Sequence, residues 1–433
     1  MKIHILLFCL LTGFVNRVNA QTMVTPAGPQ ETPLLLTGAT AHLGNGQIIE
    51  NAIIGFDKGK LTIVAKSGEA VNKSGYEIVD VTGKHIYPGF ILPATDLGLA
   101  EVSSVRATLD NDETGLVNPN VRSIIAYNTD SELIPTLRFN GILIAQIRAF
   151  GGLISGTSSI VQLDAWNWED AIFQADEGIY MNWPNRETRQ FDFSTFTFKT
   201  SPNERYDQYI AELTEIFAES RNYRKGDYGN KVNLKLEAMK GLLEGGKKLY
   251  INANDAKSII ESIKFAKNMG VEKVVLVGAG EAYMIKEFLK AEDIPVILGN
   301  VHSLPRKPDD DVDLPYRMAY LLHREGILTG LAYRGTQNSR NLPFFAGTAA
   351  SYGLGREEAL KLITSNTAKI LGIDDRVGSL EVGKDATLFV SEGDALDMRS
   401  NQLIHAFING RKIQLDATQQ ALYQKYKSKY QGD

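Results

Sequence analysis

Between Leu34 and Tyr87 the apolar residues fall into short runs with a β-type pattern: Leu34 to Leu36, Ala52 to Phe56, Leu61 to Ala65 and Ile78 to Val81. Gly44-Asn45-Gly46 and Lys58-Gly59-Lys60 stand where turns are needed between them. The same pattern returns at Ala386 to Val390 and Leu403 to Asn409, so the two flanks of the chain can build one small β domain. The middle of the chain reads differently. Leu249 to Ala253 has the length and composition of a buried strand, and Ile259, Ile260, Ile263 and Ala266 then recur at helical spacing. Lys273 to Val277, Pro295 to Leu298 and Ile327 to Tyr333 predict further strands, with helices over Glu281 to Ala291 and Pro315 to Arg324 between them. Repeated strand-then-helix units imply a parallel sheet, as a barrel or as a doubly wound sheet, and periodicity alone does not choose.

Two stretches break this rhythm. Pro184 to Tyr206 is polar and irregular, and the helix beyond it carries Tyr206, Tyr209, Ile210, Leu213, Ile216 and Phe217 on one face. That pattern fits a lid or surface excursion, and more readily an amphipathic helix packed on the body of the fold. Gly151-Gly152 to Ser159 follows the apolar run Ile142 to Ile147, where successive N–H groups could cradle an anion or a turn could join two strands.

Composition narrows the class. Of 433 residues, 43% are hydrophobic and 22% charged, as in ordinary globular proteins, and the length suffices for a large barrel with an accessory domain. Residues 1–20 stand apart: Lys2, the apolar run Ile5 to Val15, then Val18-Asn19-Ala20 read as a secretory signal peptide. The run is about half the ~20 residues of a spanning helix, so no membrane span is expected there. The one cysteine, Cys9, lies inside it behind bulky Phe8, which disfavours a lipoprotein site. Export to the periplasm or the exterior is therefore expected, leaving no disulfide and no thiol nucleophile. Loss of Lys2 and Arg17 with the leader takes the formal charge from −5 to −7, which argues against a nucleic-acid partner. Five histidines remain: His42, His85, His302, His323 and His405.

Several segments, in order along the chain, resemble the amidohydrolase superfamily, especially its imidazolonepropionase-like and prolidase-like branch. Gly83-Lys84-His85-Ile86-Tyr87-Pro88-Gly89-Phe90-Ile91 is similar to the entry into that family's first barrel strand. Gly378-Ser379-Leu380-Glu381-Val382-Gly383-Lys384-Asp385-Ala386 resembles its return to the β domain. Arg340-Asn341-Leu342-Pro343, the run Thr364 to Gly372 and Phe407-Ile408-Asn409-Gly410-Arg411 add to the match. The resemblance implies a (β/α)8 TIM barrel with a small β-sandwich built from both flanks. The expected division is a signal peptide over 1–20, sandwich over 31–87, barrel over 88–375, sandwich again over 376–414 and a C-terminal helix or tail over 415–433.

In such barrels chemistry sits at the C-terminal ends of the strands. The family binds zinc or another divalent metal, which lowers the pKa of a bound water so that hydroxide attacks a C–N bond. The resemblance places the first-strand His-x-His pair on Ala94 and Asp96, the fifth-strand histidine on Asn252 and the sixth-strand histidine on Ala279. Between Tyr333 and Ser339, where an Asp serves as ligand and base in the family, there is no carboxylate, and Arg334 stands there instead. A fixed cation disfavours a metal and suits an anionic or carbonyl-bearing ligand. The expectation is a site with no metal.

Other residues offer partial substitutes. His302, with Asp309, Asp310, Asp311 and Asp313 beyond it, could form an acid–base or metal pair, although an acidic run beside Pro308 and Pro315 also reads as a solvated loop. Asp164, Trp166 and Trp168 could line a cleft or simply pack in the core. No Gly-x-Ser-x-Gly elbow supports a serine hydrolase. Two readings follow. In one, the chain is a pseudoenzyme that binds a small molecule or peptide, or pairs as a homo-oligomer or with an intact amidohydrolase. In the other, it is an active C–N hydrolase with a non-standard site built on Asp96 or His302.

Overall fold

The computed structural model describes residues 25–224, 232–305, 309–333 and 335–431. The leader and Arg334 lie outside the described residues.

Eight strands form the central sheet: β1 (Phe90–Thr95), β2 (Ile142–Ile147), β3 (Ile154–Gln162), β4 (Ile172–Asn182), β5 (Lys248–Ala253), β6 (Val274–Gly278), β7 (Val296–Leu298) and β8 (Thr329–Leu331). They are hydrogen-bonded in chain order. The sheet curls into a nearly closed TIM-like barrel. No ladder joins β8 to β1, but one short segment bridges them: Leu331 N–H donates to Leu362 O (3.0 Å) and Ile91 N–H donates to Ile363 O (2.9 Å). Runs such as Ile142–Ile147 are buried at every position, as expected of strands covered on both faces.

One strand departs from the (β/α)8 expectation. β3 runs antiparallel to both β2 and β4. The cause is loop length: a parallel crossover needs a dozen residues or more, and Ile147 and Ile154 are too close in the chain for one. Gly151 and Gly152 therefore sit in a turn between two strands, both with positive φ (78° and 57°). Of the two readings of this glycine segment, the turn is the one observed.

Residues 184–206 are also more regular than their composition suggests. Glu187–Asp192 and Thr197–Pro202 pair as an isolated two-stranded hairpin. The following helix, Tyr206–Arg224, buries Leu213, Ile216 and Phe217 against the body of the protein.

The flanks meet in a second eight-stranded sheet. Strands Leu34–His42, Ile48–Asp57, Lys60–Lys66, Glu77–Asp80 and His85–Pro88 come from the N-terminal side, and Leu388–Ser391, Leu403–Ile408 and Arg411–Lys412 from the C-terminal side. The join is antiparallel, with Val390 opposite Ile86. Its core includes Leu36, Ile54, Phe56, Leu388 and Phe407, with the Phe56 and Phe407 rings edge to face at 4.9 Å. Helix Thr418–Gln431 follows and buries none of its residues. No helix among the described residues is long and apolar enough to cross a membrane.

Candidate functional site

Side chains alternate along each barrel strand, so every second residue points inward and successive inward residues climb toward the mouth. On β2 this inward column is Ile144, Gln146 and then Arg148 just past the strand. On β4 it is Gly178, Tyr180 and Asn182, and on β5 it is Lys248, Tyr250 and Asn252. The register confirms the layers, with Tyr250 beside Tyr180 and Asn252 beside Asn182. The β4 and β5 columns change from small or charged at the base, through aromatic, to amide at the top, and the β2 column from aliphatic, through amide, to guanidinium.

The top layer forms a cavity of about 350 Å³ at the C-terminal mouth, within the range of small-molecule sites. Its polar wall includes Arg148, Asn252, Asn254 and Asn300, and its apolar wall includes Leu298, Val301 and Met318. Asn252 Nδ2 donates to Asn182 Oδ1 (3.2 Å), and Asn182 Nδ2 in turn donates to Gly151 O, Gly152 O and Ser155 Oγ. The amides of Asn252 and of Asn254, just past β5, converge over Gly278: a Cβ there would lie 2.8 Å from Asn254 Oδ1 and 3.2 Å from Asn252 Oδ1. Only glycine leaves both oxygens in place.

Arg148 is 4% exposed, and its guanidinium lies 3.7 Å from the centroid of the Phe150 ring and 4.6 Å from that of Tyr180. Aromatic faces on two sides hold the guanidinium in place, and its Nη1 donates to Ala149 O (3.2 Å). Beneath it is a closed polar network. Tyr180 OH and the Ala94 N–H both donate to Gln146 Oε1 (2.8 and 3.0 Å), and Gln146 Nε2 donates to Glu177 Oε1 (2.6 Å). Ser158 Oγ and Tyr250 OH complete the shell of Glu177. Burial raises the Glu177 pKa above its ordinary value, against the opposing pull of Lys248 and these donors. Burial likewise raises the pKa of Tyr180 and Tyr250.

The candidates read from sequence separate into two groups. Ala94, Asn252 and Ala279 all line the cavity. Ala94 and Ala279 both hold left-handed backbone, at φ 56° and 58°, a conformation that costs an L-residue about 1–2 kcal/mol. Asp96 does not line the cavity; its Oδ2 accepts from Asn111 Nδ2 (2.8 Å). Nor does His302, whose Nε2 pairs with Thr348 Oγ1 (2.6 Å) while its ring meets Phe345 edge-on, and partial burial lowers its pKa. The two do not come together as a catalytic pair.

Asp164 is equally remote from the mouth. Its carboxylate accepts from Arg138 Nη1 (2.8 Å), Arg411 Nη1 (3.1 Å) and the Ala27 N–H (2.9 Å), tying the barrel to both flanks. Trp166 is 65% exposed and outside the cavity. Arg334 lies outside the described residues. Sequence reading missed Arg148, Asn254, Asn300 and the network under Arg148. The available signal was Gln146 and Arg148, two polar residues at alternate positions in an otherwise apolar strand.

Residues 316–413, under a quarter of the chain, match the model of the Amidohydrolase family. An amidohydrolase structure from Thermotoga maritima MSB8 is 25% identical with a TM-score of 0.74, covering 88% of this chain and 99% of that one. The family match and the structural likeness together support the amidohydrolase superfamily. Two more distant structures share the fold. One is a prolidase complexed with N-methylphosphonate-L-proline, 16% identical with a TM-score of 0.55, covering 88% of this chain and all of that one. The other is a Xaa-Pro dipeptidase with bound methionine, 12% identical with a TM-score of 0.53 and the same coverage. No curated protein matches the sequence.

The superfamily implies a divalent metal at this mouth, and the residues here do not fit one. Among the described residues no group of three or more His, Cys, Asp or Glu side chains could hold a metal ion. The positions assigned to ligands by resemblance present two methyl groups and an amide to the cavity, with a guanidinium nearby.

Proposed function

We propose that this amidohydrolase-superfamily chain is an exported binding protein whose mouth cavity takes a small carboxylate- or carbonyl-bearing ligand, such as a dipeptide or small amide, without metal-dependent hydrolysis. The observation that carries this reading is Arg148, fixed between Phe150 and Tyr180 beside converging asparagine amides at the place where the fold does its chemistry. A guanidinium presents donors in a planar fork suited to carboxylate oxygens, and asparagine amides supply donors and acceptors for a peptide group. The prolidase and dipeptidase neighbours support a ligand of dipeptide size. Export rests on the leader pattern at residues 1–20, and cleavage there leaves Gln21 as the first residue on N-terminal sequencing.

Calorimetric titration with a panel of Xaa-Pro dipeptides tests the reading. Binding is expected for the wild type, and Arg148→Met is expected to weaken it by about 1.5–3 kcal/mol, roughly 10- to 100-fold. Turnover of the same dipeptides by the metal-loaded wild type would overturn it.

One observation favours a second reading, hydrolysis at a non-standard site. Asp310 is the one carboxylate among the described residues that line the cavity, and so the candidate general base there. Chelator-resistant hydrolysis abolished by Asp310→Asn would establish that reading.

A further inference from the structure

The hairpin inserted between β4 and helix Tyr206–Arg224 ends in four phenylalanines. Phe193 and Phe196 are 80% and 79% exposed, Phe198 is 54% exposed and Phe191 is 38% exposed. The rings form one cluster centred on Phe191, with centroids at 5.0 Å to Phe193, 5.1 Å to Phe198 and 6.3 Å to Phe196. Phe191 and Phe198 are directly opposite in the ladder and share a face.

This arm is held at its base. Arg186 makes a two-pronged contact with Glu261 (2.6 and 2.7 Å), and its guanidinium stacks on Tyr206. Asn203 Nδ2 donates to Asn185 O across the base (2.7 Å). The tip itself is strained. Phe196 has φ 53°, a region where glycine or asparagine fits a turn and a bulky residue does not. A turn chosen for its own stability would carry neither this Phe nor its exposed neighbours.

We infer that the hairpin tip is an interface to a second copy of this chain, the two phenylalanine clusters packing on each other about a two-fold axis. Two observations select this occupant. The first is area. Phenylalanine side chains bury about 150–250 Å² each, so four at these exposures present about 500 Å², and two copies bury ~1,000 Å², where specific interfaces begin. The second is charge. Glu187 and Asp192 balance Arg189 and Lys199, with Asp192 and Lys199 paired at 2.6 Å and Arg189 over the Phe198 ring at 4.1 Å. A hairpin of zero net charge on an acidic chain suits a copy of itself, because an isologous contact places like surface on like, whereas an anionic lipid surface favours a cationic patch. β4 leaves the barrel at its cavity end, and Arg186 then ties the hairpin base to Glu261 on helix Ala256–Asn268.

Sedimentation equilibrium of the whole protein over a wide concentration range tests the interface. The wild type is expected to reach twice the monomer mass. The double variant Phe193→Ser/Phe196→Ser is expected to raise the dissociation constant at least tenfold while its circular dichroism and melting temperature hold. With Cys9 removed in the leader, Thr195→Cys gives a single-cysteine mature chain, and oxidation is expected to cross-link it into dimers. A wild type that stays monomeric, a dimer indifferent to the double substitution, or co-sedimentation with anionic vesicles that the substitution abolishes would each overturn the inference.

Discussion

Tyr180 and Tyr250 stack face to face, 4.7 Å between ring centroids and 7° from parallel, one layer below the Arg148 guanidinium. Both hydroxyls serve the buried amide and carboxyl of Gln146 and Glu177, so the floor of the cavity is a rigid polar plug inside an apolar barrel. A network satisfied to this degree fixes geometry more than it adds stability.

Glu177 makes the plug pH-sensitive in a defined direction. Its folded-state pKa is raised by burial above the ordinary 4.5, so the folded protein holds this proton more tightly than the unfolded chain. Stability is therefore greatest below the ordinary value and declines as pH rises through the window between the two pKa values, then levels off. Glu177→Gln should flatten that decline. Urea denaturation of both proteins across this window measures the difference.

The stacked pair depends on a missing side chain. A Cβ on Gly178 would lie 2.4 Å from Tyr250 Cε2 and 3.0 Å from Lys248 O, so Gly178→Ala must displace the ring. A loss of about 1–3 kcal/mol is expected from overpacking, read as a lower denaturation midpoint. Binding should weaken with it, since the Arg148 platform rests on the neighbouring ring.

Asp164 is predicted to matter for stability and not for the site. It is 2% exposed and faces two arginines, of which Arg138 is 5% exposed. Asp164→Ala leaves those cations without their carboxylate, at a cost of about 3–5 kcal/mol in equilibrium unfolding. Ligand affinity of the folded fraction should be unchanged.

Much of this fold was legible in the chain. Continuous apolar runs marked Leu249 to Ala253 and Lys273 to Val277 as buried strands, and helical spacing marked Ile259 to Ala266. The reversed β3 was less legible because Ile154–Gln162, buried at all nine positions, carries no mark of direction; only the short connection from Ile147 does. The hairpin escaped because alternating Phe, Thr, Lys and Arg expose both faces, leaving no apolar-in, polar-out contrast. At the site, family resemblance led to Ala94, Asn252 and Ala279, which share the cavity wall. Asp96, His302 and Asp164 are chemically apt residues whose side chains turn to Asn111, Thr348 and two arginines, a choice made by tertiary packing. Arg148 went unremarked because one cation after an apolar strand resembles a surface residue until the barrel closes around it.

The central claim is that this mouth binds its ligand without a metal. Its most direct test is the zinc content of the purified chain, measured by plasma mass spectrometry after incubation with excess zinc and dialysis. Well below one zinc per chain is predicted; one zinc per chain, lost on Asn252→Ala, would contradict the account.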